Sequence, residues 1–226
     1  EHAVDLAVVA PDDPLALGMV DAMNAAGVRT FGPNKAAARI EGSKVFAKNL
    51  MEKYGIPTAK YRTFDSASEA VAYIETQNAF PTVVKADGLA LGKGVVIARD
   101  LAEAKDAVRS IMEDKLFGAS GNRIVVEEFL TGPEVSVLSF CDGETVAPMI
   151  SSMDHKRAFD GDEGPNTGGM GVYSPVPIVT DEEHATMVDI MERAVAGLRE
   201  EGIDYRGVLY GGFMLTPQGP KLLEFN

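Results

Sequence analysis

A glycine-rich, lysine-bearing turn enclosed by two runs of β-formers restricts the fold of this chain more than any other stretch. The segment reads Val83-Val84-Lys85-Ala86-Asp87-Gly88-Leu89-Ala90-Leu91-Gly92-Lys93-Gly94-Val95-Val96-Ile97. Glycine lets backbone N–H groups approach an anion closely, and Lys85 and Lys93 add charge that matches a polyphosphate. A P-loop needs Gly-x-x-x-x-Gly-Lys-Ser/Thr opening a helix. Here the spacing is one residue short, no hydroxyl follows Lys93, and β-branched residues come next. The loop is therefore expected to join strand to strand as a flap over phosphates, with Gly88, Gly92, Lys93 and Gly94 as its candidate contacts. A hairpin with a solvated lysine is the plainer alternative.

A phosphate-binding loop raises the question of whose phosphates it holds. Net charge is −13, and no Lys/Arg cluster or basic–aromatic stripe is present, which argues against a nucleic-acid surface. A small polyphosphate carried with a divalent cation fits better. The 226 residues suffice for a sizeable core in one or two domains. The single Cys141 excludes an internal disulfide and fits a reducing compartment, and its neighbours Val137, Leu138 and Phe140 mark it as a buried, inert thiol. No apolar run approaches the roughly 20 residues of a membrane span, and no signal peptide is visible, so the chain reads as cytoplasmic with no membrane partner. There is no initiator Met, and Asn226 falls in or at the end of a strand; both ends suggest a piece of a longer protein.

Periodicity then organises the chain. Residues 6–10 read as a buried strand, residues 14–26 as a helix with Leu15, Met19, Val20 and Met23 inward, and residues 28–31 as a second strand. That β-α-β cadence predicts a parallel sheet, with the turn at Pro11 and Asp12 at a strand's carboxyl end, where open α/β sheets bind ligands. Ser43 is expected to cap a helix running to about Tyr54, ended by Gly55-Ile56-Pro57. Residues 58–130 alternate strand, helix, strand, loop, strand, helix, strand, with Ser66/Glu69 and Asp100/Glu103 as N-terminal capping pairs. Asp142-Gly143 predicts a hairpin between residues 133–141 and 144–152. Residues 154–174 read as a long polar loop, and Thr180-x-x-Glu183 caps a helix whose Met187, Ile190, Met191, Ala194, Val195 and Leu198 form a core stripe. Residues 208–215 and 221–226 form a last hairpin. The expected divisions are a partial Rossmann-like unit over 1–40, a linker helix over 41–57, a lid over 58–130 and a central catalytic unit over 131–226.

Several residues carry chemistry. Lys85 alternates with Val83 on one strand face, and a buried ammonium needs an anion: a ligand's phosphate, or an internal carboxylate. Glu224 and Asn226 stand two apart on a strand and offer two hard oxygens suited to Mg²⁺ shared with phosphates; a solvated strand face is the alternative. Glu127-Glu128-Phe129-Leu130 leaves a strand and can offer backbone groups to a purine edge, and Glu134 stands where a carboxylate could take ribose hydroxyls. The densest constellation is Asp154-His155-Lys156-Arg157 followed by Gly164-Pro165-Asn166-Thr167-Gly168-Gly169-Met170-Gly171. Its N–H groups around Gly168–Gly171, with Lys156 and Arg157, make a candidate site for a carboxylate or phosphate. His155 is an acid/base candidate or a supporting residue.

Taken in order, Glu41-Gly42-Ser43-Lys44, the Lys85 to Gly94 loop, Glu127-Glu128-Phe129-Leu130, Gly132-Pro133-Glu134, Asp154-His155-Lys156-Arg157, the 164–171 glycine segment and Glu224-Phe225-Asn226 resemble the phosphoribosylamine–glycine ligase family of ATP-grasp enzymes over essentially the whole chain. The phosphate motifs alone say only ATP-grasp; the Asp-His-Lys-Arg loop with its glycine segment points to this ligase family. The resemblance implies a fold of two α+β subdomains clamping ATP, preceded by part of a Rossmann-like parallel sheet. It implies ATP-dependent joining of glycine to 5-phosphoribosylamine with Mg²⁺ (or Mn²⁺). By position, Lys44 and Lys85 would contact phosphates, Glu127, Glu128, Phe129 and Leu130 the adenine, and Glu134 the ribose. Glu224 and Asn226 would hold the metal. Asp154, Lys156, Arg157, Asn166, Thr167, Gly168, Gly169 and Met170 would meet substrate, with Lys85 and Arg157 acting in catalysis. Another ATP-grasp ligase or carboxylase with a different acceptor, and a non-catalytic ATP-sensing module, are the competing readings; the pairing of Glu224 with Asn226 disfavours the sensor.

Overall fold

The computed structural model describes residues 4–90, 94–161 and 163–226. The chain begins with β1 (Ala7–Val8), α1 (Asp12–Leu17), α2 (Met19–Ala25) and β2 (Thr30–Phe31), and β1 pairs with β2 in parallel as the cadence predicts. The single helix expected over 14–26 is instead two. Gly18 adopts a left-handed conformation (φ +92°) that closes α1 and opens α2. The break turns Met19 outward, 45% exposed, while Leu15 and Val20 stay buried.

A short helix, α3 (Arg39–Gly42), leads into α4 (Lys44–Lys53), whose N-cap Ser43 accepts a hydrogen bond from the Phe46 N–H. Next come β3 (Tyr61–Phe64), α5 (Ala67–Gln77), β4 (Thr82–Ala86), β5 (Val95–Ala98), α6 (Leu101–Met112) and β6 (Ile124–Glu128). These strands form an antiparallel sheet in the order β3-β6-β4-β5. Ser66 and Asp100 both cap their helices, but the Glu103 carboxylate reaches back to the Arg99 N–H rather than to the cap residue. Residues 118–122 make a 3₁₀ turn ahead of β6. Pleat alternation splits this sheet cleanly. Val84, Ala86, Ala98, Ile124 and Val126 pack beneath α5 and α6, leaving Val83, Lys85, Val95, Ile97 and Glu127 to line the opposite, cleft-facing side.

The second sheet holds β7 (Glu134–Asp142) and β8 (Val146–Pro148). Beyond them the supposed structureless loop folds into two short antiparallel ladders. One pairs β9 (Met153–Asp154) with β12 (Val172–Tyr173), and the other pairs β10 (Arg157–Phe159) with β11 (Glu163–Asn166). Thr180 and Glu183 complete a reciprocal capping box on α7 (Asp181–Glu200). Strands β13 (Arg206–Thr216) and β14 (Gly219–Phe225) finish the sheet in the order β14-β13-β7-β8. Its core face, with Val137, Leu209, Phe213, Leu222 and Phe225, packs on the α7 stripe and on Ala47, Leu50 and Met51 of α4. Helix α4 thus seats on the second sheet while its N-terminus reaches the first. Among the described residues no helix is long and apolar enough to cross a membrane.

Candidate active site

A cleft runs between the cleft-facing side of the first sheet, the strand β14 and the N-terminal part of α4. Two adjoining cavities make it up, of about 520 and 580 Å³. Lys85, Val95, Glu127, Leu223 and Glu224 belong to both. The first adds Asp12, Glu41, Lys44, Lys48, Gly94 and Asn226. The second adds the segment Glu128, Phe129, Leu130 together with Glu134, Lys156 and Arg157, and has apolar walls at Ala59, Val83, Ile97 and Met214. A flat apolar ring fits the second cavity, and a charged chain fits the first.

A register shift in β14 puts its end into the cleft. Gly212 pairs with Glu224 and Phe213 with Leu222, so Leu223 is an extra residue, a β-bulge. Leu222 and Phe225 stay in the core, whereas Leu223 and Glu224 both line the cavities. The backbone of Asn226 is held by two hydrogen bonds to Tyr210. Glu224 and Asn226 offer one carboxylate and one amide, and among the described residues no group of three or more His, Cys, Asp or Glu side chains is arranged for a metal. That donor set fits a hard cation that takes its other ligands from phosphates and water, and it does not make an all-protein cage.

The base of the glycine loop is pinned to α4. Asp87 Oδ1 accepts from Ser43 Oγ and from the Val45 N–H, each at 2.8 Å, and the Asp87 carbonyl accepts from the Lys44 N–H at 2.8 Å. A carboxylate at a helix N-terminus is favoured by the exposed N–H groups there. Gly88 turns away from the cleft and lies against Ser120, whose Cβ leaves no room for a side chain. Gly94 borders the first cavity. Gly92 and Lys93 lie outside the described residues. Lys44 Nζ is 3.4 Å from the Gly88 carbonyl, and burial pulls its pKa below the ordinary lysine value.

Lys85 meets an internal carboxylate, the second of the two anions its burial allowed. Its Nζ lies 3.1 Å from Glu127 Oε2, and Lys48 Nζ lies 3.1 Å from Glu127 Oε1. Lys48, Lys85 and Glu127 are all buried. Burial lowers the Lys48 pKa to about 8, against the opposing pull of Glu127. Lys48 was missed from the sequence, although a lysine within the buried Val45, Ala47, Leu50, Met51 face of a capped helix was a readable signal. Glu41 faces the same cavity, and its pKa rises to about 7, through burial first and then the nearby charges of Asp12 and Glu224.

The remaining candidates divide. Glu128 accepts from the Lys60 N–H and lies 3.4 Å from Lys221 Nζ, tying β6 to β14. Lys156 bridges Glu134 and Asp154 at 3.0 Å each; burial works against its charge, but these two partners outweigh it and hold its pKa above the ordinary value. Arg157 donates to the Gly164 carbonyl. The Thr167 hydroxyl donates to the His155 carbonyl and accepts from the Gly169 N–H. Thr167, Gly168, Gly169 and Met170 do not wall the cleft, and Met170 is 77% exposed. Asn166 closes the β10–β11 ladder opposite Arg157.

Comparison with known proteins gives these features a context. Residues 42–226 match the family described as phosphoribosylglycinamide synthetase, ATP-grasp (A) domain, and residues 1–41 match its N domain. The chain is 52% identical, over its whole length, to phosphoribosylamine–glycine ligase of Brucella melitensis and 53% identical to that of Streptococcus pyogenes, covering 53% and 54% of those proteins. It therefore spans about half the length of these curated relatives. A crystal structure of phosphoribosylamine–glycine ligase from Thermotoga maritima superposes with a TM-score of 0.80 at 38% identity, over 88% of this chain and 50% of that one. D-alanine–D-alanine ligase from Coxiella burnetii, at 15% identity and a TM-score of 0.77, covers 100% of this chain and 59% of its own, and shares the fold alone.

Proposed function

We propose, because this chain belongs to the phosphoribosylglycinamide synthetase family and has the ATP-grasp fold, that it is the nucleotide-clamping part of a phosphoribosylamine–glycine ligase. Such an enzyme would join glycine to 5-phosphoribosylamine with ATP, giving glycinamide ribonucleotide, ADP and phosphate. The observation that supports this best is the composition of one cavity: the cations Lys44 and Lys85 and the hard oxygens of Glu224 and Asn226 line the same space.

The chemistry follows from what a carboxylate cannot do. It does not accept an amine directly, because oxide is too poor a leaving group. Transfer of the γ-phosphoryl group to a glycine carboxylate oxygen, with departure of ADP, makes an acyl phosphate. The amine of 5-phosphoribosylamine then attacks the acyl carbon and inorganic phosphate leaves. Lys44, Lys85, Gly94 and, outside the described residues, Gly92 and Lys93 would hold the phosphates, whereas Gly88, packed on Ser120, would brace the base of the loop. Preorganised cations of this kind stabilise charge on the transferring group. The slot beside Glu128, Phe129 and Leu130 would take the adenine, and Glu134 the ribose once Lys156 releases it. Glu224 and Asn226 would hold Mg²⁺ (or Mn²⁺), which when bound supplies Lewis-acid stabilisation of phosphate oxygens. Asp154, Lys156 and Arg157 would receive the substrates, with Arg157 adding positive charge, and residues 166–170, which do not wall the cleft here, would meet them only by moving onto it. A closed flap would keep water from the acyl phosphate.

An ADP-release assay on the full-length protein, omitting glycine and phosphoribosylamine in turn, tests the reading. ADP release that requires glycine supports it. Release that is indifferent to glycine but depends on another carboxylate would assign a different acceptor.

A further inference from the structure

A largely buried chain of polar contacts leads away from Lys85 and ends on β14, the strand that carries Glu224. Lys85 contacts one oxygen of Glu127, Lys48 contacts the other, and each distance is 3.1 Å. Lys48 Nζ also donates to Thr58 Oγ1 at 2.7 Å, and that hydroxyl donates to the Leu222 carbonyl at 2.6 Å. The Tyr61 ring sits 5.7 Å from the Lys48 ammonium. Lys48 is thus faced by Thr58, by Tyr61 from β3, by Lys85 from β4 and by Glu127 from β6, with the more distant charge of Glu224 from β14 adding to its field. It is 2% exposed.

A carboxylate paired with one ammonium alone makes a neutral pair, and a neutral pair does not attract a polyphosphate. Two ammonium groups sharing one carboxylate keep a net charge of one at the buried floor of the cleft, where water screens it less than in bulk. We infer that Lys48 is a positioning residue. By holding Glu127 from its second oxygen, it leaves the Lys48–Glu127–Lys85 cluster positive toward the cleft, so that Lys85 can engage phosphate without abandoning Glu127 to an unpaired burial. The inference rests on the nucleotide reading above and adds to it a residue that need touch no nucleotide.

The test uses the full-length protein, inorganic tripolyphosphate as the probe, and ATP alongside. Tripolyphosphate has no adenine, so any contact of Glu127 with a base drops out. Lys48→Met should weaken tripolyphosphate binding on the order of 10–100-fold, the effect of losing one poorly screened charge nearby. Glu127→Gln raises the cluster's charge and should tighten tripolyphosphate by about threefold or more. The double variant should return near wild type. A merely structural Lys48 predicts no such compensation: the double variant binds tripolyphosphate no better than Lys48→Met alone. That pattern, or a Lys48→Met protein that binds like wild type, overturns the inference and leaves the nucleotide reading standing. Where Lys48→Met does not fold, Lys48→Gln takes its place in the same comparison. A wild-type protein that binds neither probe overturns both.

Discussion

Ser43 Oγ donates a 2.8 Å hydrogen bond to Asp87 Oδ1, joining the cap of α4 to the first residue past β4. The same serine accepts from the Phe46 N–H, and the same carboxylate accepts from the Val45 N–H. One side chain from the glycine loop thereby caps the helix that carries Lys44. Asp87→Ala should cost about 2–3 kcal/mol in denaturant unfolding, since two hydrogen bonds to a charged group are lost and the Val45 N–H is left without its acceptor. Asp87→Asn, which keeps an acceptor, should cost less than half of that. Equal losses for both variants would show that the pairing contributes no more than bulk.

Lys85 is fixed by a central strand and an ion pair, whereas Lys93 lies in the glycine loop. Lys85→Met should lower turnover of the full-length protein by ~10²–10³, the usual loss when a fixed charge at developing phosphoryl charge is removed. Lys93→Met should cost far less. Steady-state kinetics on the two variants decide the order.

Glycines at both ends of the 88–94 loop permit local movement over a bound nucleotide. Amide exchange across residues 85–97 should slow on adding Mg-ATP. Unchanged exchange at saturating nucleotide would remove the flap from the account.

Glu41 gives the cleft a pH signature. Its pKa of about 7 lies above the unfolded value of 4.5, so its contribution to stability is full below pH 4.5 and is lost as pH rises toward and through 7. Glu41→Gln removes that loss. The variant should match wild type near pH 4.5 and exceed it by about 1–2 kcal/mol at pH 8 in metal-free buffer, a figure reduced for the solvent that reaches the open cleft. Parallel stability curves from pH 4.5 to 8 would mean that Glu41 does not carry the buried charge described.

What could be read from the residues was mostly local. Ser43, Thr180/Glu183 and the α7 stripe announce themselves because a cap and its partner lie within one turn, and a helical period repeats in place. Strand against strand around residue 90 was likewise legible, since β-branched runs flank the glycines. The Gly18 break was not, because an isolated glycine inside a helical pattern carries no mark of its conformation. The ladders within 153–173 were missed because strands of two to four residues leave too little alternation to read. At the cleft, residue types were legible and partnerships were not. Nothing near Glu127 in sequence shows that its carboxylate would lie between Lys48 and Lys85. The bulge at Leu223, which turns Glu224 into the cavity, is set by the register of β13.

Oxygen tracing reads out whether this cleft activates glycine as an acyl phosphate. If a glycine carboxylate oxygen attacks the γ-phosphorus, that oxygen leaves with inorganic phosphate when the amine displaces it. Glycine labelled with ¹⁸O in its carboxylate should therefore give labelled phosphate in the full-length reaction, and Glu224→Gln should abolish label transfer and ADP formation together. Unlabelled phosphate from an active wild-type enzyme would rule out the acyl phosphate.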